Sequence, residues 1–256
     1  LTIRSIKLYA DGALGSRGAW LIEDYHDAES EHGHIVTPVE SLKKVTEDGF
    51  KNGFQICTHA IGDMANREVL NIYNKHLKPG NDRRFRIEHS QHIDLVDIPR
   101  FGELGVIAAI QGIHMSSDRP WAIDRLGKKR IIESAYPWQK LFQSGAVIIN
   151  GTDAPVEPIN PIASFYASVS RKTLNKTPEG GYEPEEKMSR ELALRTYTIN
   201  GAFGAFEENI KGNIENGKLA DFTVLDQDIM TVEEDKILDT KVDMTIIGGK
   251  VVFKRN

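Results

Sequence analysis

Two rhythms of apolar and polar residues run along the chain. Five short, predominantly apolar runs, at 6–10, 54–60, 85–90, 106–111 and 147–153, turn polar at their C-terminal ends, as strands of a buried parallel sheet do. Between them, 39–52, 63–76, 97–104 and 130–144 carry helical spacing; in the second, Val69, Tyr73 and Leu77 recur every fourth residue. Strand followed by helix, repeated, predicts an α/β fold with right-handed crossovers. Ser189 is placed to cap a helix carrying Leu192, Leu194 and Tyr197. The rhythm then changes to strand-like runs at 221–225, 243–247 and 250–254. Gly248 and Gly249 sit between the last two, where a tight hairpin needs positive φ at both central positions. The Lys-, Gly-, Pro- and Glu-rich segment 172–187 reads as an exposed loop.

Composition narrows the partners. At 256 residues, 40% hydrophobic and 27% charged, the chain is globular rather than disordered. A net charge of -5 supplies no field that would draw nucleic acid or an anionic membrane. The longest purely apolar stretches, 106–110 and 146–149, fall far short of the roughly 20 residues that cross a bilayer. A small-molecule substrate is the expected partner. The single cysteine, Cys57, excludes an internal disulfide and suits a reducing compartment, so a cytoplasmic location is the expectation, although an exported enzyme with one thiol fits equally.

Residues able to hold a metal stand at or just beyond four strand ends: Lys7, His59, His89 and Asp153. In a parallel barrel such ends converge on one face. Imidazole and carboxylate suit zinc and related divalent ions, and a lysine joins them only when neutralised or carbamylated. Each has a plainer role open to it. A strand-end histidine can simply be hydrogen-bonded, Asp153 after Gly151-Thr152 can belong to a turn, and Lys7 can be solvated. Recurrence at the same end of successive strands is what points to a site. Asp63 is placed to cap the helix it begins, and alternation puts Glu88 on the face opposite His89. Trp121, Tyr136 and Trp138 read as packing aromatics, and Cys57 as small core filler.

Six motifs then appear in order: IKLYADGALGSRGA at 6–19, CTHAIGDMANREVL at 57–70, RIEHSQ at 86–91, IQGIHMSSDRPW at 110–121, NGTDAPVEPINP at 150–161 and GNIENGKLADFTVLD at 212–226. The chain resembles the amidohydrolase superfamily, in particular its amidohydrolase 3 branch of YtcJ-like metal-dependent hydrolases. The resemblance implies a partial TIM-type (β/α)8 barrel, about strands 4 to 8, in residues 1–205. Residues 206–256 would be the C-terminal part of a composite β-sandwich. It makes His59, His89 and Asp153 ligands of one or two divalent ions, zinc being the expected metal. Lys7 corresponds to a lysine that bridges two metals in some members.

Asp153 would also move the proton, and His114 would stabilise the developing oxyanion, a surface-loop role for His114 staying equally open. Asp11, Arg17 and Gln111 would line the substrate. The family often has proline where this chain has Gly112. The implied reaction is hydrolysis of an amide or other non-peptide C-N bond; a non-catalytic regulatory or binding protein of the same fold, exoenzyme-regulatory in type, is the alternative. The family's first-strand His-x-His pair has no counterpart before Lys7, and His32-Gly33-His34 falls in the wrong order. Three upstream strands are therefore expected elsewhere. Open sheet edges predict self-association or pairing with a missing N-terminal half.

Overall fold

The computed structural model describes residues 2–256 and contains two sheets. The first holds β1 (Ser5–Tyr9), β2 (Gln55–Ala60), β3 (Arg86–His89), β4 (Ile107–Ile110) and β5 (Ile148–Asn150), in that spatial order. The pairings of β1 with β2, β2 with β3 and β3 with β4 are parallel. Every residue of β4 is buried, whereas β1, at the edge, alternates between exposed and half-buried positions. The second sheet is antiparallel and separate: β6 (Phe222–Leu225), β7 (Val242–Ile247) and β8 (Lys250–Lys254). Gly248 and Gly249 join the last two with φ of 57° and 79°, the conformation the tight turn demands.

The chain divides into two compact units. One runs through Ile110 and takes in Ser117–Ile148; the other comprises Gln111–Ser116 and Ile149–Asn256. In the first, α1 (Val39–Lys51) and α2 (Asp63–Asn74) pack on β2. Gly49 lets α1 come close, because a Cβ there would stand 2.4 Å from Ile56 Cδ1. Tyr73 of α2 is buried, its hydroxyl 2.8 Å from Thr58 Oγ1 and donating to the Arg86 carbonyl at 3.0 Å. The helix α3 (Ile98–Leu104) ends on Gly105 in left-handed backbone.

Two helical stretches differ from expectation. A long helix, α4 (Gly112–Glu133), occupies a region in which no helix was expected before 130, with a kink at Gly127. The expected helix over 130–144 is broken: α4 ends at Glu133 and α5 spans Trp138–Gln143. Tyr136 interrupts it with φ of 49°, its N–H donating to the Gln91 carbonyl at 2.7 Å and its hydroxyl accepting from Gln91 Nε2 at 2.9 Å. Pro137 follows, and the residue ahead of a proline is driven away from helical backbone.

In the second unit, Asn160 caps α6 (Pro161–Ser170) by accepting from Ile162 N. Ser189 caps α7 (Arg190–Tyr197) by accepting from Leu192 N, and α8 (Ile199–Gly204) follows. The segment 172–187 is a loop with a single 3-10 turn, Pro184–Glu186, but it is tied down at both ends. Fully buried Arg171 donates to the Tyr182 carbonyl at 3.0 Å and pairs with Glu183 at 3.3 Å, while Lys172 reaches Asp235 at 2.9 Å.

Candidate metal and catalytic centre

The first unit carries two histidines at adjacent strand ends. His59 lies on β2 and His89 closes β3, their ring centroids 4.4 Å apart and steeply inclined. Their strand positions are staggered, since the parallel register sets His59 opposite Glu88 and Ala60 opposite His89. His89 adopts φ of 77° and Ser90 φ of 43°. Left-handed backbone at a non-glycine residue costs on the order of 1–3 kcal/mol and is concentrated at functional sites. Here it occurs at the residue whose ring meets His59. Strict alternation therefore ends at Glu88, which is the register partner of His59 and accepts from Arg86 Nε at 2.9 Å.

Asp11 is buried close to His59. Its Oδ2 accepts from Trp20 N at 2.9 Å and Gly62 N at 2.8 Å, its Oδ1 accepts from Ile61 N at 3.0 Å, and Oδ1 stands 3.4 Å from His59 Nε2. Burial pushes the Asp11 carboxyl up to about 7, against the opposing pull of those backbone N–H groups. Lys7 is exposed midway along β1 rather than at its C-terminal end, with its ammonium 5.0 Å from the centre of the Tyr9 ring, which in turn lies 5.4 Å from the His59 ring. Arg17, with φ of 57°, is committed to Asp27 through Nε and Nη2 at 3.1 and 3.0 Å, and Arg125 reaches the same carboxylate.

Asp63 begins α2, but Gly62 holds the cap position. The first N–H groups of the helix are met by the Trp20 carbonyl, which accepts from Met64 N at 3.1 Å and Ala65 N at 3.3 Å. Only glycine fits at 62, since a Cβ would stand 2.0 Å from that oxygen. Asp63 Oδ1 accepts from Ile22 N and Met64 N, so it fastens the 11–22 loop to the helix. Burial drives the Cys57 thiol up to about 11, which leaves it inert filler.

The second unit holds a histidine and a carboxylate of its own. His114 is buried in the first turn of α4 rather than in a surface loop, and its Nε2 lies 3.8 Å from Asp153 Oδ2. Burial pushes the His114 imidazole down, with Asp153 and Glu157 opposing. Asp153 is exposed and, like His89, takes left-handed backbone, φ 56°. Gln111 is half-buried, and its carbonyl accepts from His114 N at 3.2 Å.

The start of α4 is clamped. Gly112 N donates to Asn150 Oδ1 at 3.0 Å and Ile113 N to Ser164 Oγ at 3.0 Å, while Asn150 Nδ2 donates to Ser168 Oγ at 3.0 Å. Asn150 was not singled out from sequence, although it begins the NGTDAPVEPINP motif that contains Asp153. The hydroxyl of Tyr197 donates to the Gly151 carbonyl at 3.4 Å, and burial raises it above the usual phenol range.

Residues 1–253 match the family model described as the amidohydrolase family. The chain is 34% identical over 252 residues to the putative amidohydrolase YtcJ of Bacillus subtilis, covering 98% of this chain and 47% of that protein. It is 25% identical over 254 residues to the N-substituted formamide deformylase of Arthrobacter pascens, covering 98% and 46% respectively. A crystal structure of an uncharacterised metal-dependent hydrolase from Pyrococcus horikoshii OT3 superposes with a TM-score of 0.80 at 29% identity, covering 91% of this chain and 46% of the other. The chain thus spans about half the length of the relatives it matches.

Proposed function

Since the chain belongs to the amidohydrolase family, we propose that it supplies the C-terminal catalytic part of a metal-dependent hydrolase acting on an amide or other non-peptide C-N bond of a small molecule. The observation that carries this reading is the side-by-side placement of the His59 and His89 imidazoles at the ends of adjacent parallel strands. The five parallel strands and their helices stand for strands 4 to 8 of a (β/α)8 barrel in this reading, with a domain boundary near 205. Two imidazoles and a carboxylate form a donor set that suits zinc. We assign His59, His89 and Asp153 as ligands, and Lys7 as a further one when carbamylated.

A divalent ion there supplies Lewis acidity and makes water a nucleophile near neutral pH. The chain's own groups do the rest. Asp153 takes the proton from the attacking water and returns it to the leaving nitrogen, as its open position allows. His114, held largely neutral by burial, donates a hydrogen bond to the oxygen on which charge develops. Gln111, beside it at the head of α4, is assigned to the substrate's polar groups, and Arg17 only through the Nη1 that its pairing with Asp27 leaves over. The name of the Arthrobacter relative, an N-substituted formamide deformylase, favours an N-formyl amine as substrate, and N-acyl amines share the same bond. The open edge of β1 is where a further chain, a second copy or a complementary N-terminal half, would pair.

The test is zinc stoichiometry and turnover on a panel of N-formyl amines, N-acyl amines, lactones, phosphoesters and dipeptides. The panel is run with the chain alone and with the N-terminal half of a relative added. Bound zinc and cleavage confined to the formyl and acyl amines support the proposal. A chain that takes up no zinc in either preparation would leave the regulatory alternative standing. Cleavage of dipeptides instead would overturn the substrate class.

A further inference from the structure

We infer that Asn150 is a positioning residue: its side-chain amide, at the C-terminal end of β5, fixes the His114 imidazole opposite the Asp153 carboxylate. This rests on the reading of His114 and Asp153 as the groups that stabilise the oxyanion and carry the proton. His114 Nε2 and Asp153 Oδ2 are 3.8 Å apart. That is too far for a hydrogen bond between them and close enough for one substrate to reach both. The spacing therefore has to be held by other residues.

Asn150 stands where the two segments meet. It lies three residues before Asp153, and its Oδ1 accepts at 3.0 Å from the N–H of Gly112, two residues before His114. A main-chain N–H can only donate, so the amide turns its oxygen to α4 and its nitrogen away. Nδ2 donates to Ser168 Oγ at 3.0 Å, and Ser168 gives its own proton to the Ser164 carbonyl at 2.8 Å. The next N–H of α4, on Ile113, donates to Ser164 Oγ at 3.0 Å. The network has one polarity, because a reversed amide would set donor against donor at Gly112. The first N–H groups of a helix have no partner within it, and here they are capped from β5 and α6. Ser164 and Ser168 have no exposed surface, so water does not compete for these bonds while α6 stays in place. The Gly151 carbonyl lies 3.4 Å from the Tyr197 hydroxyl and 3.5 Å from Ser164 Oγ, which refers the chain leading to Asp153 to α6 and α7. All of these residues belong to the second unit.

The experiment has two arms. The first, on the metal-free 256-residue chain, follows the His114 ring by proton–carbon correlation, assigned with His114→Ala. Asp153→Asn is expected to shift the His114 signal in the wild-type background. That response is expected to be lost in Asn150→Ala and partly restored in Asn150→Asp, which keeps an acceptor for Gly112 N. No response in the wild-type background, or an undiminished one in a folded Asn150→Ala chain, overturns the inference. Thermal melts report folding. Should Asn150→Ala not fold, Ser168→Ala, which loosens the amide but leaves its bond to Gly112, takes its place, and an undiminished response there overturns the inference. The second arm measures turnover of the N-formyl amine cleaved best in the panel above. Asn150→Ala is expected to lower kcat about 100-fold with KM little changed, and Asn150→Asp to recover part of the loss; a raised KM at unchanged kcat overturns the inference. If wild type cleaves nothing in the panel, it is the hydrolase reading that falls, and the ring signals alone decide whether Asn150 sets the pair.

Discussion

The parallel sheet of the first unit and the three-stranded sheet of the second reach order by different physics. β2 and β4 are buried nearly throughout, β3 alternates buried with half-buried residues, and Ile56, Phe85 and Ile87 have no exposed surface. The strands β6 to β8 have no fully buried residue; β8 is exposed along its whole length, with Val252 at 58% and Phe253 at 49%. Apolar burial at roughly 25 cal/mol per Å2 therefore dominates the first region and contributes little to β8. What places β8 is local geometry: two left-handed glycines, Gly248 N donating to Asp221 Oδ1 at 2.7 Å, and Arg255 paired with Asp226 and Asp243. A core strand is held by what covers it, and this hairpin by how it turns.

The sharpest break of that comparison is a pair of truncations of the same residue type. Phe85→Ala is expected to cost about 3–5 kcal/mol, because it empties a site packed by Phe50 and Tyr73. Phe253→Ala is expected to stay within about 0.5 kcal/mol. Urea melts of the two variants against wild type check this, and similar losses would refute the contrast.

A second, pH-dependent difference belongs to the first region alone. His92 is 1% exposed, and neither ring nitrogen makes a hydrogen bond among the described residues. Burial, aided by nearby Arg130, pushes its pKa from 6.5 down to about 3. The unfolded chain then binds this proton more readily than the folded one. The stability is intact above pH 6.5 and drains away as pH falls from there toward 3. His92→Phe, which keeps a ring against Tyr136, should flatten that decline by on the order of a few kcal/mol across the window. Stability measured against pH in both proteins decides it; parallel curves would exclude His92. The smallest effect lies in the second region: Ser189→Ala removes the α7 cap and should cost about 1 kcal/mol in the same melts.

The difference between the regions also separates what was legible from what was not. Four of the five strands of the first sheet lie within their expected runs and β1 begins one residue ahead of its own, because an apolar stretch turning polar leaves few alternatives, and the Gly248-Gly249 turn and Ser189 cap follow from single-residue chemistry. α4 was hidden because Gly112, Pro120 and Gly127 punctuate it like a loop, and the break at Tyr136 depends on Gln91, far away in the chain. α6 had a signal that could have found it, Asn160 ahead of Pro161. In the candidate site, His59 and His89 were readable as strand-end residues. The backbone twist at His89 and the anchoring of Asp11 were not, since both depend on partners outside their own strands.

Gly112 has a historical consequence. A side chain there would come within 2.2 Å of Ser168 Oγ and 2.7 Å of the Ser164 carbonyl. A smaller residue at 168 relieves the first clash but not the second, which is with main chain. Positions 112, 164 and 168 are thus bound to drift as a group, and a lineage acquiring proline at 112 has to re-seat α6 at the same evolutionary step.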